Sequence, residues 1–337
     1  MIREAISALI DGKSLTMEEA AAVMEEIMEG EVTPAQFGAL VTALRLKGET
    51  VEEIAGMAKT MRSKAVRVTV ADPVIDIVGT GGDGLNTFNI STAAAFVVAG
   101  AGLKVAKHGN RAASSQCGSA DVLEALGVKI ELTTEQVQRC IEEVGMGFMF
   151  APSFHPAMKY AGPPRREIGI RTVFNILGPL TNPARADNYL LGVADGSLVE
   201  KMALVLQSLG CNHALVVHGG DGLDEVTITR ETQVCELKDG RINSYPISPE
   251  DMGIARTSLE DLKGGTADEN ATCLRKILSG AAGPQRDVVL MNAAAALVAG
   301  DKAKTVQQGM DLARQAIDGG QAPSKLNHLI EFSQSFT

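Results

Sequence analysis

Residues 73–84 read PVIDIVGTGGDG, in which an apolar run rich in Val and Ile ends at four glycines within six positions. This pattern predicts a strand over Val74–Val78 that leads into a loop without side-chain bulk. Glycine adopts the left-handed backbone conformations that tight loops need, and it lets backbone N–H groups approach a ligand closely. The stretch therefore predicts a strand that ends at a candidate anion site.

The residues after the glycine loop carry amide and hydroxyl side chains, and an apolar helical pattern then runs to Ala101. Ser91 or Thr92 is the predicted N-cap of this helix, which would place the helix N-terminus beside the loop. A glycine loop, hydroxyl groups and a helix start together favour a phosphate site. A tight strand-to-helix turn with no ligand is the alternative, because such turns often use glycine.

Gly79, Gly81 and Gly84 also match the G-x-G-x-x-G pattern of dinucleotide-binding folds. Those folds place an acidic residue about 20 positions further on, where it holds a ribose hydroxyl. Residues 99–107 read AGAGLKVAK and contain no carboxylate. The chain also lacks G-x-x-x-x-G-K-[ST], so neither an NAD-dependent oxidoreductase nor a Walker-type nucleotide site is favoured.

Length, charge and cysteine usage bound the function. The 337 residues suggest two domains or one large domain with an appendage, and the net charge of −10 argues against a nucleic-acid or acidic-membrane binder. The five cysteines show no C-x-x-C spacing, and no apolar run approaches the roughly 18 residues of a membrane span. We therefore expect a cytoplasmic protein with no nucleic-acid or membrane partner, in which a local basic cluster meets any anionic ligand.

Residues 1–70 are predicted to form a small helical domain. Capping boxes begin at Thr16, Thr33 and Thr50, and apolar residues recur between them at helical spacing. The apolar face of these helices either docks on the rest of the chain or forms a homodimer contact. We expect a helix from about residues 165–180 to join this domain.

Residues 71–337 alternate between strand and helix patterns and are predicted to form the larger domain. Helices are predicted at Ala93–Ala101, Asp121–Leu126, Thr134–Val144 and most of Glu269–Ile330. The predicted strands after Val74–Val78 are Leu103–Ala106, Phe148–Ala151, Ala214–His218, Glu225–Thr229 and Gln233–Leu237. Such alternation predicts an α/β fold with a mostly parallel sheet, in which ligands bind beyond the carboxyl ends of the strands.

A second polar segment, residues 107–119, follows the predicted strand Leu103–Ala106 and reads KHGNRAASSQCGS. Lysine offers a point charge to a phosphate, and serine hydroxyls with loop amides offer directional hydrogen bonds. The alternative is a solvated turn. His108 alone could act as a general base, although a histidine in a phosphate loop is more often structural.

Two further segments carry ionic groups. Residues 152–184 are rich in proline and arginine, and an arginine on a rigid segment can grip a carboxylate through two hydrogen bonds, although a surface salt bridge is the commoner role. Residues 219–225 read GGDGLDE, and adjacent Asp224 and Glu225 at a glycine-rich strand end can hold Mg²⁺. A solvated acidic turn is the alternative.

Together these segments resemble the anthranilate phosphoribosyltransferase family in their order and spacing over nearly the whole chain. The matching segments are GTGGD at 79–83, NIST at 89–92, KHGNR at 107–111 with Ser114 and Ser115, GPLTNP at 178–183, and Asp224-Glu225. The resemblance implies a helical domain plus a larger α/β domain, a homodimer through the helical part, and Mg²⁺. It also implies transfer of the phosphoribosyl group of phosphoribosyl pyrophosphate (PRPP) to anthranilate, in tryptophan biosynthesis.

The resemblance further implies roles for individual residues. Lys107 and Asp83 would take part in catalysis. Mg²⁺ would be held by Ser91, Asp224 and Glu225, and anthranilate by Gly79, Asn110 and Arg165, with Arg165 facing its carboxylate. The residues implied to hold PRPP are Gly79, Gly82, Asp83, Thr87, Asn89, Ile90, Ser91, Thr92, Lys107, His108, Gly109, Asn110, Arg111, Ala112, Ala113, Ser114, Ser115 and Ser119.

Two other functions fit parts of the sequence. A pyrimidine nucleoside phosphorylase is similar in fold and also cleaves at the ribose C1 carbon, but it gives the Asp224-Glu225 pair no obvious role. A non-enzymatic nucleic-acid-binding relative would need a basic groove, and the chain has no run rich in Lys and Arg. We therefore expect a transferase that works by placement and electrostatics, with the neutral arylamine as nucleophile.

Overall fold

The computed structural model describes residues 1–112 and 115–336. Its first helices are α1 (Ile2–Ile10), α2 (Met17–Glu29), α3 (Pro34–Lys47) and α4 (Val51–Lys64). Thr16, Thr33 and Thr50 each accept a hydrogen bond from the backbone N–H three residues on, and the Glu or Gln side chain there bonds back to complete a capping box. The predicted helical character of the N-terminal region is confirmed.

The strands that follow are β1 (Ile75–Gly79), β2 (Val105–Gly109), β3 (Met146–Phe150), β4 (Asn188–Gly192), β5 (His213–Gly219), β6 (Thr232–Lys238) and β7 (Arg241–Ile247). In the described residues they form one sheet in the order β3-β2-β1-β4-β5-β6-β7. Neighbours from β3 to β5 pair in parallel, whereas β6 and β7 add antiparallel at one edge. The predicted α/β fold with a mostly parallel sheet is confirmed.

The remaining helices are α5 (Ile90–Gly100), α6 (Ser119–Ala125), α7 (Thr134–Arg139), α8 (Ala151–Phe154), α9 (Met158–Ile168), α10 (Phe174–Leu177), α11 (Val199–Ser208), α12 (Ala267–Leu278), α13 (Pro284–Ala299), α14 (Val306–Asp318) and α15 (Gln321–Gln334). Helices α5 and α13 are buried along most of their length, as expected of helices whose sequences are largely apolar on every side. None of the helices described has both the length and the hydropathy to span a membrane.

Helices α9 and α10 lie against the N-terminal helices rather than on the sheet. α9 packs on α2 and α3, and the ring centroid of Phe174 in α10 lies 5.2 Å from that of Phe37 in α3. This segment overlaps the span predicted to join the helical part, although α9 begins earlier, at Met158. The division of the chain near residue 70 stays a prediction.

The strand predicted at Glu225–Thr229 is wrong, because this segment is an irregular turn. Its backbone donors are satisfied by side chains: Val226 N–H donates to Asn292 Oδ1 (2.9 Å) and Thr227 N–H to Thr232 Oγ1 (3.0 Å). A segment whose N–H groups are bonded in this way needs no neighbouring strand. Two strands were not predicted from the sequence: β4, which follows the proline-rich segment 152–184, and the largely polar edge strand β7.

The predicted N-cap of α5 is also wrong. The helix begins at Ile90, so Ser91 and Thr92 lie in its first turn, and the capping position is Asn89, which makes no side-chain cap bond. The Ser91 N–H instead donates to Glu225 Oε1 (3.2 Å). A carboxylate from a distant turn therefore satisfies this helix start, which local sequence could not reveal.

Candidate active site

Two of the parallel strands end at glycines that let another segment approach the backbone. β1 ends at Gly79 and β4 at Gly192, and a Cβ atom at either position would overlap Asp224. Because both residues lack a side chain, the turn after β5 folds over the ends of β1 and β4. This packing brings Asp224 and Glu225 to the loop that follows β1.

The glycine loop itself is held from two sides. The Gly81 N–H donates to Asp224 Oδ2 (2.6 Å), and the Arg171 guanidinium donates to the carbonyl oxygens of Gly81 and Gly82. Gly81 and Gly82 have φ angles of 65° and 73°, a region that only glycine enters at no steric cost. The predicted phosphate loop therefore has a defined shape, set by one carboxylate and one guanidinium.

Lys107 connects the second strand to the start of α5. Its side chain is buried, and its Nζ donates to the carbonyl oxygen of Ile77 (2.6 Å) and to Ser91 Oγ (3.2 Å). Since Ser91 N–H also bonds Glu225, the segments 77–81, 91, 107 and 224–225 meet at one place. The structure thus brings together four of the predicted site segments.

The carboxylates at this place are crowded. Burial raises the pKa of Asp224 to about 6, and the neighbouring Asp83 adds to that rise. Burial likewise raises the pKa of Glu225 to about 8, with Asp224 as the second cause. Burial lowers the pKa of the nearby Lys107 ammonium. Clustered acids with one buried lysine form a site that a hard cation would stabilise.

The donor set fits Mg²⁺ only in part. Among the residues that the structure describes, no three His, Cys, Asp or Glu side chains are grouped closely enough to hold one ion. The protein would offer two carboxylates, Asp224 and Glu225, with the Ser91 hydroxyl beside them. Mg²⁺ commonly uses one or two carboxylates and completes its octahedron with water and substrate phosphates, so this set suits a metal that arrives with a phosphorylated substrate.

His108 lies beneath the second polar segment and not at its surface. Burial lowers its pKa to about 3, and the neighbouring His155 is the next cause. The centroids of the two imidazole rings lie 5.0 Å apart. Its Nε2 has no hydrogen-bond partner among the described residues. A buried neutral imidazole can contact a ligand, but it brings no positive charge to a phosphate.

The loop after β2 places its predicted residues unevenly. Asn110 is exposed, and its carbonyl oxygen accepts from Ser119 Oγ (3.3 Å). The Arg111 guanidinium pairs with Asp121 and Glu124, and Asp121 also accepts from Ala112 N–H (2.9 Å). Arg111 therefore already has carboxylate partners. The predicted residues Ala113 and Ser114 lie outside the described residues.

Other predicted PRPP residues differ in what they can offer. Ile90 and Thr92 are buried, and Thr92 Oγ1 has no partner in the described part of the chain, so these two could act only through their backbone. Thr87 forms an isolated antiparallel bridge with Lys263. Ser115 is exposed.

Arg165, the predicted partner of a carboxylate, lies near the end of α9. Its side chain is half-buried, and burial lowers its pKa. No described residue forms an ion pair or side-chain hydrogen bond with this guanidinium. A half-buried arginine without a carboxylate partner is well suited to take one from a ligand.

Comparison with known proteins gives one family over the whole chain. The helical bundle domain of the glycosyl transferase family matches residues 3–65, and its a/b domain matches residues 71–323. An anthranilate phosphoribosyltransferase of Dehalococcoides mccartyi is 62% identical over 337 residues, covering 99% of each chain. The chain belongs to the anthranilate phosphoribosyltransferase family.

Solved structures of the same family share the fold. The anthranilate phosphoribosyltransferase of Thermus thermophilus superposes with a TM-score of 0.94 at 47% identity, covering 98% of this chain and 99% of that one. The Saccharomyces cerevisiae anthranilate phosphoribosyltransferase, in complex with PRPP and Mg, gives a TM-score of 0.91 at 29% identity, covering 99% and 98%. The same yeast protein has also been solved with 4-fluoroanthranilate.

One feature of this anthranilate phosphoribosyltransferase family member was not predicted from its sequence. Residues 262–264 form a strap that crosses the polar segment after the glycine loop. Gly264 N–H donates to the carbonyl oxygen of Asn86 (2.9 Å), and Phe88 N–H donates to that of Leu262 (3.1 Å). A Cβ at Gly264 would lie 2.8 Å from Phe88 backbone atoms, so this close approach requires glycine. The Gly264-Gly265 pair before a capping box was the signal that could have found it.

Asn270, in the first turns of α12, was also missed. It is buried, and its Nδ2 donates to Asn89 Oδ1 (2.9 Å) while its Oδ1 accepts from Gly265 N–H (2.8 Å). The amide of Asn89 in turn donates to the carbonyl oxygen of Cys117 (3.1 Å). Asn270 therefore holds Asn89, which follows the glycine loop, against Cys117 in the second polar segment.

A cavity of about 450 Å³ lies beside the same turn but not at Asp224 and Glu225. It is lined by Asp221, Thr229, Arg230, Arg256, Thr257 and Leu259. Thr229 and Thr257 already donate to Asp221 and Asp261, and Arg256 pairs with Glu250. The cavity thus has few free donors for an anion, and we assign the active site to the glycine loop instead.

Proposed function

We propose that this chain transfers the phosphoribosyl group of PRPP to the amino group of anthranilate, giving N-(5-phosphoribosyl)anthranilate and pyrophosphate, in L-tryptophan biosynthesis. The observation that carries the proposal is the meeting of Gly81, Ser91, Lys107 and the Asp224-Glu225 pair through hydrogen bonds. The family relationship supports the same substrates, since relatives carry this activity in their names.

PRPP would bind with its phosphates against the glycine loop and the loop after β2. The residues that would hold PRPP are those predicted from the sequence. Among them, Lys107 and the amides of the glycine loop lie nearest to Asp224 and Glu225. Lys107 neutralises developing charge on the leaving pyrophosphate, and because it is buried its charge is weakly screened. The chain's main contribution is to hold donors where charge develops.

Mg²⁺ would be held by Ser91, Asp224 and Glu225, together with phosphate oxygens of PRPP. When bound, the ion supplies charge neutralisation for the pyrophosphate. Asp83 lies beside Asp224 and adds negative charge to the same place. The yeast relative solved with PRPP and Mg supports this use of magnesium.

Anthranilate would lie on the α9 side, with its carboxylate facing Arg165 and its ring near Gly79 and Asn110. An arylamine attacks as the neutral amine, so no strong base is required. His108, whose burial keeps its pKa at about 3, stays neutral at physiological pH. The protein accelerates the reaction by placing the amine near the ribose C1 carbon, from which pyrophosphate departs.

The proposal is tested by mixing the protein with Mg²⁺, PRPP and anthranilate and following the loss of anthranilate fluorescence. We expect loss that requires all three components and stops with a chelator. Phosphorolysis of uridine or thymidine, without anthranilate consumption, would instead support the nucleoside phosphorylase alternative. Tight binding of nucleic acid without either reaction would support the non-enzymatic alternative.

We further infer a homodimer formed through the helical part. Ile10 in α1 and Leu46 in α3 are 72% and 83% exposed, which leaves large apolar side chains on the surface of these helices. Size-exclusion chromatography with light scattering should give twice the 35.3 kDa chain mass, and a Leu46→Asp variant should shift it toward one chain. A wild-type monomer at micromolar concentration would contradict this inference.

We also propose two domains, residues 1–70 with the α9–α10 segment and residues 71–337 otherwise, in a cytoplasmic protein without nucleic-acid or membrane partners. The packing of α9 on α2 and α3 supports the first part. All five cysteines are free thiols, which supports a reducing compartment. Cell fractionation with labelled protein tests the location.

A further inference from the structure

Arg171 lies in the short segment between α9 and α10, and both helices pack on the N-terminal helices. Its guanidinium nevertheless reaches the glycine loop after β1 and donates to two carbonyl oxygens, those of Gly81 and Gly82. Sequence reading gave this arginine no role. The contact joins the helical part to the proposed PRPP loop.

The geometry of this contact decides where the loop amides point. In a planar trans peptide the C=O and the following N–H face opposite ways. Anchoring the carbonyls of Gly81 and Gly82 on Arg171 therefore turns the N–H groups of Gly82 and Asp83 away from it. Within residues 1–112 and 115–336, no acceptor bonds either of these N–H groups.

A second charged group holds the opposite face of the loop. Asp224 Oδ2 accepts from Gly81 N–H (2.6 Å), so a cation lies at the carbonyls and an anion at the preceding amide. A Cβ at Gly82 would lie 2.6 Å from Arg171 Nη1, and one at Gly79 would overlap Asp224. The two glycines are thus explained by the close approach of these two partners.

We propose that Arg171 is a positioning residue that presents the N–H groups of Gly82 and Asp83 to the phosphates of PRPP. It acts through the loop backbone, so it differs from Arg165, which would contact anthranilate itself. This inference rests on the proposed function. It predicts that loss of the guanidinium weakens PRPP binding and leaves anthranilate binding nearly unchanged.

The test compares Arg171→Ala and Arg171→Lys with the wild type and with Arg241→Ala. Arg241 is an exposed arginine on β7, at the end of the sheet away from the strand carboxyl ends, so its loss controls for net charge. We expect Arg171→Ala to raise the KM for PRPP about tenfold, as for loss of a charged hydrogen bond to exposed backbone. The KM for anthranilate should stay within about twofold, and Arg171→Lys should recover part of the loss because one ammonium can replace one of the two contacts.

Hydrogen–deuterium exchange supplies a readout that does not depend on activity. A peptide covering residues 80–85 should exchange faster in Arg171→Ala than in the wild type, while peptides from α13 stay unchanged. Gly82→Ala should also do less additional harm in the Arg171→Ala background than alone, because the side chain that it would clash with is gone.

The outcomes separate this inference from the proposed function. A wild-type protein that does not consume anthranilate with PRPP would overturn the proposed function itself. A wild-type protein that is active, with Arg171→Ala matching Arg241→Ala in the KM for PRPP and in exchange of residues 80–85, would overturn the role of Arg171. Equal rises in both KM values with a lower melting temperature would also overturn it, because they indicate general loss of structure.

Discussion

The string Gly-Gly-Asp-Gly-Leu occurs twice in this chain, at residues 81–85 after β1 and at residues 219–223 at the end of β5. Both copies form the same local turn: Asp83 Oδ1 accepts from Leu85 N–H (3.1 Å), and Asp221 Oδ1 accepts from Leu223 N–H (3.2 Å). Local sequence therefore sets the Asx turn in both places.

The two copies differ in everything beyond that turn. In the second, Asp221 Oδ2 accepts from the hydroxyls of Thr227 and Thr229, so both of its oxygens are used within the protein. In the first, Asp83 lies beside Asp224, and the loop amides of Gly82 and Asp83 have no acceptor among the described residues. The comparison teaches that one sequence can give a closed structural turn or an open ligand loop, according to its neighbours.

The backbone differs as well. Gly81, Gly82 and Gly84 all have positive φ in the first loop, whereas in the second copy only the fourth residue, Gly222, does. The first loop is bent by its contacts with Arg171 and Asp224, and the second continues a regular strand through Gly219. The chain then runs from the second loop directly to Asp224 and Glu225, which reach back to the first.

The largest expected effect comes from breaking that link between the loops. Asp224→Asn with Glu225→Gln should lower magnesium-dependent turnover by at least about 100-fold, since loss of partners behind a metal ligand alone costs 10–100-fold. Asp239→Asn with Glu18→Gln, which neutralises two exposed carboxylates, is the matched control. Turnover is measured as a function of Mg²⁺ concentration, and an unchanged Mg²⁺ dependence would remove the metal assignment.

A smaller effect is expected at Arg165 in α9. Arg165→Ala should raise the KM for anthranilate roughly 10–100-fold, the range for loss of hydrogen bonds to a charged group, while the KM for PRPP changes little. Steady-state kinetics with each substrate varied in turn make the measurement. Arg166→Ala, at the exposed next position on the helix, is the control. A larger effect on PRPP than on anthranilate would place the carboxylate elsewhere.

The comparison also shows what sequence could and could not predict. The capping boxes at Thr16, Thr33 and Thr50 and the strand before Gly79 depend on neighbours within a few residues, and the sequence predicts them correctly. Glu225–Thr229 looks like a strand locally, but Asn292 and Thr232 satisfy its amides from elsewhere in the chain. Local pattern has no access to such bonds.

The candidate site divides in the same way. The glycine loop, Lys107 and the Asp224-Glu225 pair could be found because each lies in a distinctive string after a strand. Arg171 and Asn270 could not, because each acts on a segment 89 or more positions away and neither stands in a distinctive motif. The family resemblance gave roles to the ligand-contacting positions, but it did not say which side chains orient them.

The strands that precede the two loops differ in one buried carboxyl group. The stability of the first strand should therefore depend on pH in a way that the second does not share. Asp76 in β1 lies five residues before Gly81, and the corresponding residue of β5 is Ala214. Asp76 is buried, accepts from His108 N–H and from Asn182 Nδ2, and burial raises its pKa from 3.8 to about 6. The folded protein therefore binds this proton more tightly than the unfolded chain does.

The stabilisation from the protonated Asp76 is complete below pH 3.8 and is lost as the pH rises through about 6. The asparagine in Asp76→Asn cannot ionise. The free energy of unfolding of this variant, relative to that of the wild type, should therefore rise by on the order of 2–3 kcal/mol as the pH goes from 4 to 7. Urea denaturation of both proteins at several pH values measures this difference. A difference that is constant with pH would show that Asp76 is ionised at no cost.

The smallest effect separates the two aspartates of the repeated string. Asp221→Ala leaves two threonine hydroxyls without their acceptor and should lower the free energy of unfolding by about 1–3 kcal/mol, because the Thr227 side chain is buried. Asp83→Ala loses the partly buried bond from Leu85 N–H but also removes a neighbour that disfavours the ionised Asp224, so it should cost less, about 0.5 kcal/mol. Under conditions where both variants are folded, Asp83→Ala should change the KM for PRPP more than Asp221→Ala does. Denaturant unfolding and kinetics on the same samples decide the matter: equal unfolding energies, or the reverse order in KM, would mean that the two turns are equivalent and that their neighbours do not distinguish them.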